Sequence, residues 1–326
     1  MTETEHPEHP EPSVGAWGER RLVEALTAGL PQGQDVLVGP GDDAALVVVG
    51  GGRSGREVLV STDVAVEGRH FRRDWSSAAD IGHRVSAANL SDIAAMGGIA
   101  NCLVVALAAP GDLPSRWALD LVRGLADEAA GLGASIVGGD VTESDRLFVA
   151  VTVVGACPGP VVRRDGARPG DVVAVSGRLG WAAAGLAVLS RGFRSPRTVV
   201  EAHRRPHPPY AQGPAAAAAG ATAMIDVSDG LLADLGNVAS ASGVAIDVRR
   251  ESLELAEPLR AVGAAVGADP LLFVLTGGDD HALAATFPAA VRLPPEWCVV
   301  GEVSAGQGVT VDGSAFDGLG GHRHWS

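Results

Sequence analysis

The chain has 326 residues, of which 46% are hydrophobic and 20% charged, and a net charge of −14. Single cores stop growing beyond roughly 250 residues, so this length predicts two domains. The acidic balance excludes general nucleic-acid binding, which needs a basic footprint, but leaves nucleotide binding open where metal ions neutralise phosphates.

The opening MTETEHPEHPEP is polar and proline-rich, and residues 1–13 are expected to form a disordered tail. It lacks the basic start and apolar centre of a signal peptide, and no run approaches the ~18 apolar residues of a membrane helix. Cys102, Cys157 and Cys298 are too few and too scattered for a disulfide framework or a CxxC metal site. They read as reduced thiols, so a soluble, cytoplasmic protein without membrane partners is expected.

A first helix is predicted from Trp17 to Ala28, stopped by Gly29. Between it and the next predicted strand, Ala44 to Val49, lies GPGDDAAL with Asp42 and Asp43. The turn GGGRSG leads to a strand over Glu57 to Ser61 and then to Thr62 and Asp63. That glycine-rich turn lacks the GK[ST] ending and following helix of a phosphate-binding Walker loop. It reads as a hairpin connection.

From Ala78 to Met96 the pattern is helical, with Ile81, Val85, Ala88, Asp92 and Met96 on one stripe. An ionised Asp92 among core-facing residues is costly unless paired or metal-bound. A strand (Cys102 to Ala108), a helix (Ser115 to Leu132) and a short strand (Ser135 to Val137) lead to Gly138-Gly139-Asp140. A strand from Leu147 to Val154 completes an N-terminal domain, 14–158. The exposed segment CPGPVVRRDGARPGD opens a C-terminal domain, 159–326.

There the predicted elements are a strand (Asp171 to Ser176), a stretch from Gly180 to Leu189, and a buried alanine-rich helix (Pro214 to Ala219). IDVSDGLLADL then supplies a strand, a turn at Asp226 to Gly230 and a helix, with Asp229 as its expected cap. Alternating strands and helices in both halves point to an α/β or α+β architecture.

The seven aspartates of these motifs are Asp42, Asp43, Asp63, Asp92, Asp140, Asp226 and Asp229. Each singly suits a cap or a turn. Together, at predicted strand and turn ends, they point to hard cations, because carboxylates about 4 Å apart repel by roughly 4 kcal/mol at an effective dielectric near 20. Mg²⁺ fits that need, since it shares its coordination between a few carboxylates and the phosphates of a substrate.

The ordered blocks GPGDDAAL, STDVAVEGRHF, NLSDIAAMGG, GGDVTES, IDVSDGLLADL and LTGGDDHAL resemble the thiamine-monophosphate kinases. That superfamily also holds aminoimidazole-ribonucleotide synthetase, selenophosphate synthetase and the hydrogenase-maturation dehydratase. The resemblance implies a homodimer whose N-terminal sheets close a β-barrel, a C-terminal α/β layer, and a cleft for ATP and several Mg²⁺. It implies transfer of the γ-phosphoryl group of ATP to thiamine monophosphate.

By the same resemblance, Asp42, Ser61, Thr62 (through its carbonyl), Asp63, Asp92, Asp140, Asp226 and Asp229 are metal ligands, and Asp43 stands beside them in support. Gly139, Asp140, Arg164 and Ser228 map to the ATP side. His70, Asp279 and Trp325 map to the thiamine-phosphate side. The acceptor is already an anionic phosphate, so positioning and electrostatics carry the reaction and no nucleophile or base is nominated.

One position departs from the family pattern. His281 follows Asp279-Asp280 where an aromatic Tyr is usual, and it reads as a packed strand histidine. Alternative readings are a sister ATP-dependent synthetase, or a catalytically silent dimer that binds metal and thiamine phosphate. The absence of a cysteine before Cys102 argues against a selenophosphate synthetase, and the ending His324-Trp325-Ser326 argues against a hydrogenase-maturation protein.

Overall fold

The computed structural model describes residues 16, 19–50 and 55–316. The expected tail 1–13, Trp17, the centre of the GGGRSG turn and Trp325 lie outside them. Two six-stranded sheets organise the described residues, and together they make a mixed α/β fold.

The first sheet contains β1 (Val36–Val38), β2 (Ala45–Val49), β3 (Arg56–Val66), β4 (Ile99–Ala109), β5 (Ser135–Glu143) and β6 (Phe148–Ala156). Their spatial order is β1-β2-β3-β6-β4-β5, antiparallel except for the β4–β5 pair. After the short helix α1 (Glu19–Thr27), α2 (Ala78–Ala95) and α3 (Ser115–Gly131) pack against each other. α2 starts on a capping box in which Ser77 and Asp80 satisfy each other's backbone N–H. It also packs on β3 and β6, burying Ile81, Leu90, Ile93 and Met96.

The second sheet runs β12-β9-β11-β7-β10-β8, with β7 at Asp171–Ser176, β8 at Ala223–Val227, β9 at Ala245–Val248, β10 at Ala282–Pro288, β11 at Cys298–Ser304 and β12 at Gly308–Val311. Its helices are α4 (Trp181–Ser190), α5 (Arg197–Arg204), α6 (Gln212–Ala219), α7 (Leu231–Ser242), α8 (Glu257–Val266) and α9 (Pro270–Thr276). β8 is apolar and buried along its length, apart from the charge of Asp226. The end of α2 joins the halves: Ala94 and Ala95 share a buried cluster with Ala174, Ala216, Met224 and Phe287.

Three expectations are corrected. STD does not end a strand, because β3 runs on to Val66 in pairing with Phe148 of β6. Likewise Gly138-Gly139-Asp140 lies within β5, not beyond it. A side chain at 139 would place its Cβ 1.9 Å from the Val105 carbonyl of β4, so strand pairing itself demands this glycine. Finally, Asp229 is not the cap of α7. The Asp234 carboxylate reaches back from the first turn and accepts from the N–H groups of Asp229 and Gly230, both at 3.0 Å. Among the described residues no single helix is long and apolar enough to cross a membrane.

Candidate active site at the meeting of the two sheets

Asp92 lies on α2 where it passes β3, and the Ser61 hydroxyl donates to its Oδ2 at 2.6 Å. Side chains alternate along a strand, so Asp63 shares the face of Ser61 while Thr62 faces away. Thr62 Oγ1 accordingly donates to the Val151 carbonyl at 3.0 Å and lies 3.1 Å from Thr152 Oγ1. The N–H of Asp63 donates to Asn89 Oδ1 at 3.2 Å, fastening β3 to α2. Asp63 and Asp92 repel each other, and Asp226 and Asp43 add to the field at Asp92.

Asp42 and Asp43 sit in the loop before β2, with side chains only 5% exposed. Arg164, from the segment joining the two sheets, donates to Asp43 Oδ1 at 2.6 Å through its terminal nitrogen. Its Nε and backbone N–H reach Asp42 at 3.3 and 3.2 Å. The second oxygen of Asp43, Oδ2, is buried without a hydrogen bond among the described residues.

Burial pushes the carboxyls of Asp42, Asp43 and Asp92 above the usual range. Arg164 partly offsets this at Asp42 and Asp43, Asp226 reinforces it at Asp43 and Asp92, and Ser61 partly offsets it at Asp92. Positive charge is therefore short in this cluster.

From the second half, Asp226 is 3% exposed at the end of β8. Its Oδ2 accepts from the Ser91 hydroxyl at 2.7 Å and lies 3.0 Å from His281 Nδ1. Asp229 follows three residues later, and its charge, with that of Asp226, acts on Asp234. The carbonyl of Ser228 accepts from Asp279 N–H at 2.9 Å. A Cβ at Gly278 would meet that carbonyl at 2.1 Å, so only glycine lets the two turns touch.

On the expected substrate side, Arg84 bonds Asp279 Oδ2 at 2.7 Å and donates to the His203 carbonyl at 3.0 Å. Partial burial works against the charge of Asp279, yet Arg84, with His281 and His203, holds its carboxyl down at about 2. His70 lies in the turn after β3, where its Nδ1 accepts from Val66 N–H at 3.0 Å.

The structure thus brings together Asp42, Asp43, Ser61, Asp63, Asp92, Arg164 and Asp226. Gly139 and Asp140 stand on the exposed edge strand β5, separated from β3 by β6 and β4. At about 4.8 Å per strand, that places Asp140 roughly 14 Å across the sheet. Among the described residues, no group of three His, Cys, Asp or Glu side chains is close enough to hold a metal ion unaided.

Sequence reasoning missed Arg84, Asn89, Ser91 and Asp234. Ser91 and Asn89 lie inside a quoted motif, on buried turns of a helix where polar side chains need partners, and that was their signal. Nothing in the sequence singled out Arg84. His281 is buried as expected, but it bonds a site carboxylate as well as filling space.

Residues 41–157 match the AIR synthase related protein N-terminal domain, and residues 168–314 match its C-terminal domain. The thiamine-monophosphate kinase of Mycobacterium tuberculosis is 45% identical over 95% of this chain and 92% of its own length. The chain belongs to the thiamine-monophosphate kinase family. Its relative in Corynebacterium glutamicum is 37% identical over 84% of this chain and 83% of its own. Among solved structures of the family, AaThiL complexed with AMPPCP and TMP superposes with a TM-score of 0.88 at 31% identity, covering 97% of this chain and 100% of that one.

Proposed function

We propose that the protein is a kinase that transfers the γ-phosphoryl group of ATP to thiamine monophosphate, giving thiamine diphosphate and ADP. The observation that carries this reading is the convergence of Asp43, Asp63, Asp92 and Asp226 from both halves on a space whose nearby cation is Arg164. The family relationship supplies the acceptor, and the AMPPCP and TMP of the superposed relative match the two substrates.

The residues suit Mg²⁺. The buried, unpartnered Asp43 Oδ2 and carboxyls raised by burial and mutual repulsion call for a hard cation with oxygen ligands. With too few carboxylates in contact to complete a shell alone, phosphate oxygens would complete it. Asp42, Asp63, Asp92, Asp226 and Asp229 would hold such ions, with Ser61 and the carbonyl of Thr62 at the side of β3. When bound, Mg²⁺ would offset charge on the two phosphate groups that must approach each other.

The other steps belong to side chains. Arg164 offers a planar fork to phosphate oxygens once it leaves Asp42 and Asp43. Ser228, in the turn after β8, would contact the nucleotide as well. Gly139 and Asp140, across the sheet, suit a second ion or another part of the nucleotide. Asp279 faces the cationic part of the acceptor, with Arg84 fixing its direction, while His70 faces the acceptor's phosphate. No side chain need remove a proton, because the attacking oxygen is anionic near neutral pH.

The reading extends to a cytoplasmic homodimer built from a domain at 14–158 with a second at 159–326. Exposed Val104, Val137 and Val141 on β4 and the edge strand β5 support pairing of two first sheets into a barrel. The direct test mixes purified protein with ATP, Mg²⁺ and thiamine monophosphate and quantifies products by chromatography. Equal amounts of ADP and thiamine diphosphate, absent in EDTA, are expected; ADP formation indifferent to the acceptor would overturn the reading.

A further inference from the structure

His281 has a left-handed backbone (φ 52°) and is 5% exposed. That conformation is costly for most side chains, so the turn between α9 and β10 holds it for a reason. Its backbone N–H donates to the Val227 carbonyl at 3.1 Å, locking the turn onto the end of β8. The ring then meets the neighbouring residue of that strand, with Nδ1 3.0 Å from Asp226 Oδ2. A carboxylate only accepts, so Nδ1 carries the proton in this bond.

A second donor comes from the other half of the molecule. The Ser91 hydroxyl, on α2 one residue before Asp92, lies 2.7 Å from the same Asp226 oxygen and is fully buried. Both meet Oδ2, the Ser91 hydroxyl sharing its single proton between that oxygen and the Ala88 carbonyl, also at 2.7 Å. Among the described residues no hydrogen bond is made to Oδ1, although the charge of Asp226 acts on Asp43, Asp92 and Arg164. Two bonds to one oxygen fix the carboxylate plane and leave the other oxygen directed by it.

We infer that His281 and Ser91 are positioning residues that clamp Asp226 Oδ2 and thereby orient its other oxygen toward a divalent cation. This rests on the proposed role of Asp226 as a metal ligand. The imidazole is not a filler of the position, since the geometry uses its Nδ1. Asn fits the same need: it tolerates a left-handed backbone and carries its amide nitrogen near where Nδ1 sits.

The test measures Mn²⁺ binding to the purified protein without substrates by electron paramagnetic resonance, alongside kcat and KM with Mg²⁺, for Asp226→Asn, Ser91→Ala, His281→Ala and His281→Asn. Loss of a residue that orients a ligand weakens metal affinity by about 10–100-fold. Ser91→Ala and His281→Ala are expected to weaken Mn²⁺ by about tenfold or more and to lower kcat, with the KM for thiamine monophosphate unchanged. His281→Asn is expected to stay within about threefold of the parent, a rescue that a purely packing role would not give.

If Asp226→Asn leaves Mn²⁺ binding intact, the metal-ligand reading itself fails. If Asp226→Asn abolishes binding while Ser91→Ala and His281→Ala bind like the parent, the clamp alone is overturned, as it is if His281→Asn is as weak as His281→Ala. Ser91→Ala removes one oxygen and keeps the helix, so circular dichroism of this variant secures the test should His281→Ala fail to fold.

Discussion

Arg164 stands between Asp42 and Asp43 as the counter-charge of the carboxylate cluster, 2.6 Å from Asp43 Oδ1 and 3.3 Å from Asp42 Oδ1. In the proposed reaction the same guanidinium also meets nucleotide phosphates. There it would leave these carboxylates for the phosphates of the nucleotide.

Arg164→Met consequently should act in opposite directions on two affinities. Without nucleotide, the freed carboxylates are expected to bind Mn²⁺ more tightly than in the parent. With ATP, KM is expected to rise about tenfold or more, as loss of a charged bond of roughly 1.5–3 kcal/mol implies. Removing one partner of a buried pair costs about 3–5 kcal/mol, so the melting temperature should fall when no metal is added. Mn²⁺ titrations with and without AMPPCP check this; weaker binding in both would reduce Arg164 to a structural role.

Asp92→Asn is expected to lower transfer by at least about 100-fold while the protein stays folded, since a buried charge facing Asp63 and Asp226 is removed without loss of volume. Steady-state rates beside thermal melts measure both halves of this statement. A variant that turns over normally would show that Asp92 is not part of the site.

The halves are also tied by His83, whose Nδ1 lies 2.8 Å from Glu128 Oε2 and whose Nε2 lies 2.9 Å from the Pro206 carbonyl. Tyr210 donates to Glu128 Oε1 at 2.6 Å. Burial opposes charge on both, yet the pair bond keeps His83 above its ordinary 6.5 and Glu128 below its ordinary 4.5. The His83 contribution is complete below 6.5 and lost as pH rises further; that of Glu128 is complete above 4.5 and lost in stronger acid. His83→Gln should thus lower the melting temperature most between those values, by about 2–6 °C, and least at pH 9. A deficit that is constant with pH would contradict the pair.

Asp280 accepts from Ala182 N–H at 2.9 Å at the start of α4, while its Oδ2 is buried with no hydrogen-bond partner among the described residues. Burial drives this carboxyl up to about 7. A raised pKa means the folded state loses stability as pH climbs from the ordinary 3.8 to about 7, and no more beyond. Asp280→Asn keeps the acceptor and removes the charge, so its melting temperature should exceed the parent's by a margin that grows from pH 4 to pH 7 and then levels. Thermal melts across that range decide it.

Much of this was legible from the chain itself. The helical spacing that set Asp92 among Ile81, Val85 and Met96 is the feature that brings it to β3, and the acidic pair, STD and IDVSDG all reach the cluster. Strand ends were less legible: β3 and β5 extend through STD and GGD because pairing with β6 and β4 overrides the local turn-like composition. The cap of α7 escaped because Asp229 and Asp234 offer the same chemistry, and only the backbone direction decides between them. Arg84 and the left-handed His281 depend on contacts between segments far apart in sequence, which periodicity does not record.

In the proposed reaction the carboxylate cluster supports direct phosphoryl transfer from ATP to thiamine monophosphate. A single-turnover rapid-quench experiment with ATP labelled at the γ-phosphate tests it most directly. With Mg²⁺, the label is expected to pass to thiamine diphosphate without appearing as inorganic phosphate, and Asp92→Asn is expected to abolish this passage. Label released as free phosphate, or transfer by Asp92→Asn at the parent rate, would contradict it.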